Sequence, residues 1–362
     1  LKTHYFSNCQ SSWALAHSTL AMPTGSLPVV AWQSPKARRL VAFTAVLGSM
    51  LLGSRIFADR LLRLLMYHPS LYEDDPSHLN QLRDFQQLFQ KLGYLLEFVD
   101  YDISAISGRK DSASRWRQRA FLVQPQEAPV GLWIVFGGNA MLAIDWIMFL
   151  YQLISRQAPG TKPAFLLVDY PGYGSNQGTP SPDSILSTSL AALDKALPKL
   201  AGPPGQLHLL GHSLGSAAAV QLAATLPRNE EKTNELSPGI LLLSAPFTST
   251  IRIAQAMANQ LFYGIVPPTW LLRFLVTHRW DTQLLLPRAA ARGWQTKIIH
   301  GIHDEIVPFS MGRQLHEDLQ RKDLKCKSEF VEAQSGHNDV LGKHFNDYAA
   351  LMDVAAVPGS SL

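Results

Sequence analysis

Cysteine is nearly absent from this 362-residue chain: there are two, Cys9 and Cys326. Two cysteines so spaced exclude a disulfide framework and a cysteine-based zinc site, and they read as plain thiols. Charge is sparse as well. Asp, Glu, Lys and Arg make up 17% of the residues against 46% hydrophobic, which excludes a mostly disordered chain and leaves ample apolar material for a core. The excess of 32 Lys and Arg over 28 Asp and Glu is a net charge of +4, too weak over this length to point to nucleic acid. Internal repeats, long low-complexity tracts and apolar runs of the ~20 residues that cross a bilayer comfortably are also missing. At about 150 residues per domain the length allows two domains, and one large α/β domain with additions fits equally well.

The N-terminal quarter differs from the rest. Residues 1–39 mix Ser, Pro, His and Trp without a sustained period and read as a poorly ordered leader. Lys36, Arg38 and Arg39 then precede a short apolar run from Leu40 to Gly53, ended by Arg55. Basic residues before such a run suit a signal peptide or signal anchor, and no small-x-small cleavage site follows. Residues 55–67 set Arg55, Asp59, Arg60 and Arg63 among Ile, Leu and Met at helical spacing, as in an amphipathic helix lying on a membrane surface. The competing reading is a helix packed on the globular body. Residues 40–67 are expected to be a signal anchor or membrane-surface helix, and basic residues on both flanks leave its orientation open.

From about residue 90, short apolar runs alternate with helical patterns. Strands are expected at 94–99, 120–123, 130–136, 164–169, 206–210, 240–244, 297–300 and 329–332, and helices near 140–156, 182–199, 214–226, 309–320 and 339–353. Ser181 before Pro182 is a helix N-cap with proline at the first helical position. This pattern predicts an α/β domain over 68–362, a mostly parallel sheet covered by helices on both faces. Residues 250–295 break the alternation, with Pro267 and Pro268 beside Trp270, and are expected to form a short helical lid.

Ligands of such sheets bind beyond the carboxyl ends of the strands. Polar, glycine-rich clusters follow strand after strand there: Gly137-Gly138-Asn139, Tyr170–Gly174, Gly211–Gly215 and Gly301–Asp304. Gly211-His212-Ser213-Leu214-Gly215 is a G-x-S-x-G between an apolar strand and a helix rich in small residues. In that setting a sharp strand-to-helix turn lifts the Ser213 hydroxyl clear of the sheet, and the helix start aims N–H groups at developing negative charge.

A serine hydroxyl is a weak nucleophile and needs a base, which in turn needs an acid to orient it. In this architecture the chain order is Ser, then Asp or Glu, then His. Asp304 follows the strand ending at His300, with Glu305 as its rival; His337 follows the last strand, and His344, inside a helical pattern, is the weaker candidate. The expected triad is Ser213, Asp304 and His337. A metal reading of His300, His303, Asp304 and His337 competes, but its H-x-x-H lies in a strand and loop rather than on a helix face. Acyl transfer also needs N–H donors for the tetrahedral oxyanion, expected from Leu214 and Asn139. Gly172-Tyr173-Gly174 with Gly178 does not have the G-x-G-x-x-G spacing of a nucleotide loop and reads as a structural turn bordering the pocket.

Together FGGNA (136–140), DYPGYG (169–174), GHSLG (211–215), SAPFTS (244–249), HGIHDEIVP (300–308) and GHND (336–339) resemble the α/β-hydrolase superfamily, within it the monoacylglycerol-lipase-like and protein-depalmitoylase-like branch. The resemblance covers about 130–345. It implies the α/β-hydrolase fold, Ser213 as nucleophile, Asp304 as acid, His337 as base, Asn139 and Leu214 as oxyanion donors, and no cofactor. Where the branch commonly has His-Gly-Asn, this chain has Gly137-Gly138-Asn139.

The expected function is a serine hydrolase of esters or thioesters working through an acyl-enzyme. The apolar lid residues, Trp270 among them, and the candidate anchor tilt the substrate toward lipidic or acylated molecules, with Gly138, Ala140, His212 and Trp270 as candidate contacts. A non-catalytic binding protein of the same fold and a serine aminopeptidase with the same triad are the competing readings.

Overall fold

Strands that read as near-continuous apolar runs cannot face water on either side, so they need helical cover on both. Among the described residues there are eight strands: β1 (Tyr94–Ser104), β2 (Arg115–Pro125), β3 (Gly131–Phe136), β4 (Ala164–Val168), β5 (Gln206–His212), β6 (Ser237–Ser244), β7 (Gln295–Gly301) and β8 (Ser328–Ala333). They form one sheet in the order β1-β2-β4-β3-β5-β6-β7-β8. The β1–β2 and β2–β4 pairs are antiparallel and the others parallel. Each expected strand is present, and the expected mostly parallel sheet is found. Every residue of β3 and β4 is buried, whereas β1, at the edge, alternates between buried and exposed positions.

This computed structural model describes residues 66–74, 77–104, 115–157, 160–226, 236–261, 268–321 and 327–353, with Gly53, Ile56, Phe57, Arg60 and Arg63 as isolated positions before them. The chain divides into two units, Leu1–Ser54 and Arg55–Leu362, and of the first only Gly53 is described. The expected leader 1–39 and the apolar run from Leu40 to Leu52 therefore lie outside the described residues. Among the described residues no helix is long and apolar enough to cross a membrane.

After the isolated helical positions before residue 67, the α-helices among the described residues are α1 (Ser77–Lys91), α2 (Asp145–Ser155), α3 (Pro182–Ala196), α4 (Leu214–Thr225), α5 (Thr250–Leu261), α6 (Thr269–Leu275), α7 (Thr282–Ala290), α8 (Phe309–Arg321), α9 (Val340–Lys343) and α10 (Phe345–Leu351). The α3 cap is as expected: Ser181 Oγ accepts from Ser184 N, and Ser184 Oγ accepts from Ser181 N. The described part of 250–295 contains three of these helices, α5, α6 and α7, and Thr250 N donates to Trp280 O across 2.9 Å.

Three differences have local causes. Helix α1 was not expected; buried Leu82, Phe85 and Phe89 recur at three- and four-residue spacing within a polar, Gln-rich stretch. Helix α2 starts at Asp145, later than expected, because Asp145 Oδ2 accepts from Leu142 N and Leu142 lies in a turn. The expected final helix is two, interrupted at His344, whose backbone leaves the helical region. The core holds Trp133, Trp146, Trp294, Phe89, Phe136 and Phe165 fully buried, each contributing about 1.5–3 kcal/mol.

Candidate active site

The special loops gather at the carboxyl ends of β3, β5, β7 and β8. Ser213 follows β5 with φ 52° and ψ −115°, a conformation that costs a non-glycine residue about 1–3 kcal/mol. Surrounding bonds hold it: Ser213 N donates to Ser244 O at 2.8 Å, and Ser216 Oγ lies 2.7 Å from Gly211 O and 3.0 Å from Ser244 O. The turn is closed so tightly that a Cβ at position 211 would collide with Gly215 O, and one at 215 with Phe136 O. Small residues along the buried face of α4 allow this approach, and Leu214, its first residue, has an N–H with no acceptor inside the helix.

Asp304 lies past the end of β7, in a turn of its own making: Oδ1 accepts from Ile306 N at 2.9 Å and Val307 N at 2.7 Å. Oδ2 then faces His337 Nδ1 at 2.7 Å and His300 Nε2 at 3.2 Å. Burial alone would push this carboxyl upward, but hydrogen bonds from His300, His337 and the Val307 N–H outweigh it and hold Asp304 well below the usual carboxylate range. Its ionised Oδ2 takes the Nδ1–H of His337, which leaves the Nε2 lone pair of that imidazole free to accept a proton. Val307 O can only accept, so the hydrogen on His300 sits at Nε2, 3.0 Å from that carbonyl.

A second imidazole adjoins His337. The His212 ring lies 5.0 Å from that of His337, fully buried, with Nδ1 2.8 Å from Ser244 Oγ. Burial first, and His337 beside it, push His212 down to about 3, so it stays neutral. Of the two rings only His337 has a carboxylate partner. No hydrogen bond joins Ser213 to His337 here; in unliganded enzymes such bonds are often long and tighten only with substrate. Glu305 is exposed, and His344 is paired with Asp347 at 2.7 Å. His303 is exposed, and among the described residues no three or more His, Cys, Asp or Glu are grouped to hold a metal ion.

The loop after β3 runs beside Ser213: a Cβ at Gly138 would lie 3.5 Å from Ser213 Cβ. The Asn139 backbone N–H has no acceptor among the described residues, and exposed Ala140 follows with φ 65°. Trp270, on α6, is 71% exposed.

Sequence reasoning missed the groups that hold this loop. Tyr170 OH donates to Gly137 O at 2.6 Å, and Tyr173 OH to Asn139 Oδ1 at 3.2 Å. Both tyrosines belong to DYPGYG, so the motif itself was the available signal. Its Asp169 accepts from Tyr72 OH at 2.6 Å and Ala143 N at 2.7 Å. Burial raises Asp169 to about 6, against the lowering effect of the Tyr72 and Ala143 hydrogen bonds.

The folded state therefore binds this proton more tightly than the unfolded chain. The stability Asp169 contributes is fully present below its ordinary value of 3.8 and is lost as pH rises through about 6. Asp169→Asn keeps an acceptor for Ala143 N and a donor for the Tyr72 oxygen. In urea unfolding the variant is expected to lose the fall in midpoint that the parent shows between about pH 4 and about pH 7. An equal fall in the variant would exclude Asp169 as its source.

A family model described as the alpha/beta hydrolase family matches residues 131–358. An uncharacterised protein of Mycobacterium tuberculosis is 31% identical over 175 residues, 48% of this chain and 53% of that one. Alpha/beta hydrolase domain-containing protein 17B of Xenopus laevis is 28% identical over 48% of this chain and 49% of its own length. The bovine lysophosphatidylserine lipase ABHD12 is 27% identical over 149 residues, 41% of this chain and 36% of its own. The chain thus spans about half the length, or less, of these curated relatives. Among solved structures, an esterase of Pyrococcus furiosus shares the fold with a TM-score of 0.50 at 13% identity, over 73% of this chain and 90% of that one. The match to the family model covers well over half of the sequence, and the chain belongs to the α/β-hydrolase family.

Proposed function

We propose that this chain is a serine hydrolase that cleaves carboxylic ester or thioester bonds through an acyl-enzyme. The observation that carries the reading is the 2.7 Å bond between Asp304 Oδ2 and His337 Nδ1, beside the strained Ser213 turn. His337 Nε2 removes the Ser213 proton as Oγ attacks the acyl carbonyl, and Asp304 stabilises the imidazolium that forms. The N–H groups of Leu214 and Asn139 receive the oxyanion. His337 then gives its proton to the leaving alcohol or thiol. Water, activated by the same imidazole, releases the acid and restores Ser213.

Lipidic or acylated substrates fit best. Exposed Trp270 on α6 offers apolar surface for an acyl chain. One curated relative is itself named a lysophosphatidylserine lipase. Membrane attachment through residues 40–67 belongs to the same reading.

Fluorophosphonate labelling tests it. Label at Ser213 that is lost in Ser213→Ala is the expected result, and a native protein that takes no label rejects the enzyme. Nitrophenyl esters are expected to turn over faster as octanoyl than as acetyl; the reverse order rejects a lipophilic pocket. Labelled protein released to the supernatant by carbonate would exclude the anchor.

A further inference from the structure

The carboxamide of Asn139 is gripped by one residue from the other end of the domain. The His68 backbone N–H donates to Asn139 Oδ1 at 2.8 Å, and His68 Nδ1 lies 2.7 Å from Asn139 Nδ2. A backbone N–H only donates, so the oxygen of the carboxamide must face it. Asn139 Nδ2 therefore donates to His68 Nδ1, which is the unprotonated ring nitrogen. The Tyr173 hydroxyl takes the second lone pair of Oδ1 at 3.2 Å.

The residues after His68 continue the contact. Ser70 Oγ lies 3.1 Å from Ala140 O, Gly174 N donates to Ser70 O at 2.8 Å, and Leu71 pairs with Gly174 as a parallel bridge. Residues 68–71 thus form a strap bonded both to the loop after β3 and to the DYPGYG turn. The loop needs such a restraint. Ala140, a non-glycine residue, is held at φ 65°, which persists only where the surroundings over-determine it. An oxyanion donor, moreover, acts only if its N–H already points to where the charge will form.

We propose that His68 is a positioning residue for the oxyanion hole: by gripping the Asn139 carboxamide at both ends, it holds the Asn139 N–H in its receiving orientation. The inference rests on the hydrolase reading above and adds to it a residue that lies outside every motif carrying that reading.

Nitrophenyl ester kinetics on His68→Leu, His68→Asn and His68→Gln test it, with thermal midpoints measured alongside. The asparagine oxygen sits at the same distance from the backbone as His68 Nδ1, while the glutamine oxygen lies one bond farther out. His68→Leu is expected to lower kcat about 10- to 100-fold, part of the ~100- to 1000-fold loss when a donor is removed, with KM within about twofold. His68→Asn is expected to restore most of kcat and His68→Gln little. Should the leucine variant not fold, the comparison of the two amides still decides. Unchanged kcat in His68→Leu overturns the proposal. So does a loss of kcat that His68→Asn and His68→Gln restore equally, since that would follow any polar residue at the strap. A native protein without ester turnover or Ser213 label fails the hydrolase reading. One that turns over esters but ignores His68 fails this inference alone.

Discussion

Replacing His337 with alanine is expected to lower kcat about 10⁶-fold, Ser213→Ala about as much, and the double variant no further than either. In the proposed mechanism the three groups act as one relay, so removing any essential member removes the unit. A serine without a base attacks poorly, and a base without the serine has no proton to move. Asp304→Asn is expected to cost about 10⁴-fold with the fold intact, because an amide facing His337 Nδ1 can donate and so turns the imidazole to the wrong tautomer. The amide also has only one oxygen for the two histidines that now share Asp304 Oδ2. Steady-state ester hydrolysis and near-UV circular dichroism on the four variants check this. Additive losses in the double variant, or a Ser213→Ala protein that keeps a tenth of its activity, would dismantle the relay. The acid limb of the activity profile is not expected to belong to Asp304, whose carboxyl is held well below the usual carboxylate range.

Gly215→Ala is expected to cost about 3 kcal/mol or more in urea unfolding and, in whatever protein folds, at least about 100-fold in kcat. The added carbon would meet Phe136 O and lie 2.6 Å from Gly137 O. Both are main-chain atoms, of β3 and of the loop carrying Asn139, so no rotamer change relieves the contact. The helix start or the loop after β3 must move, and either motion separates Ser213 from the proposed oxyanion donors. Gly342→Ala, which meets nothing within 4 Å, is the control for a glycine without such a neighbour and is expected to leave activity unchanged. A Gly215→Ala protein with parental stability and turnover would show that the close approach is dispensable.

Much of the fold was legible because parallel strands buried on both faces read as uninterrupted apolar runs. Helix α1 was not, since its few apolar residues stand among glutamines, and only packing against the body shows that Leu82, Phe85 and Phe89 form one face. At the site, the chain order of Ser213, Asp304 and His337 could be read from the loops that follow β5, β7 and β8. Position also favoured Asp304 over its neighbour Glu305, but it gave no geometric reason for the choice. The turn supplies one: Ile306 and Val307 N–H groups capture Asp304 Oδ1 and aim Oδ2 at His337, while Glu305 stays exposed.

Local order along the chain is what the sequence alone determined: which runs become strands, where a strand must turn sharply into a helix around Ser213, and which loops collect at one edge of the sheet. These follow from hydrophobic period, proline and glycine positions, and short motifs, all of which act over a few residues. Tertiary structure alone decided the partnerships across long separations. His68 meets Asn139 across 71 positions, and His212 meets Ser244 and, through it, Tyr348. Hydrogen bonds of this kind form only after the sheet has brought distant loops within 3 Å or so, and nothing in the local period of either segment encodes the other.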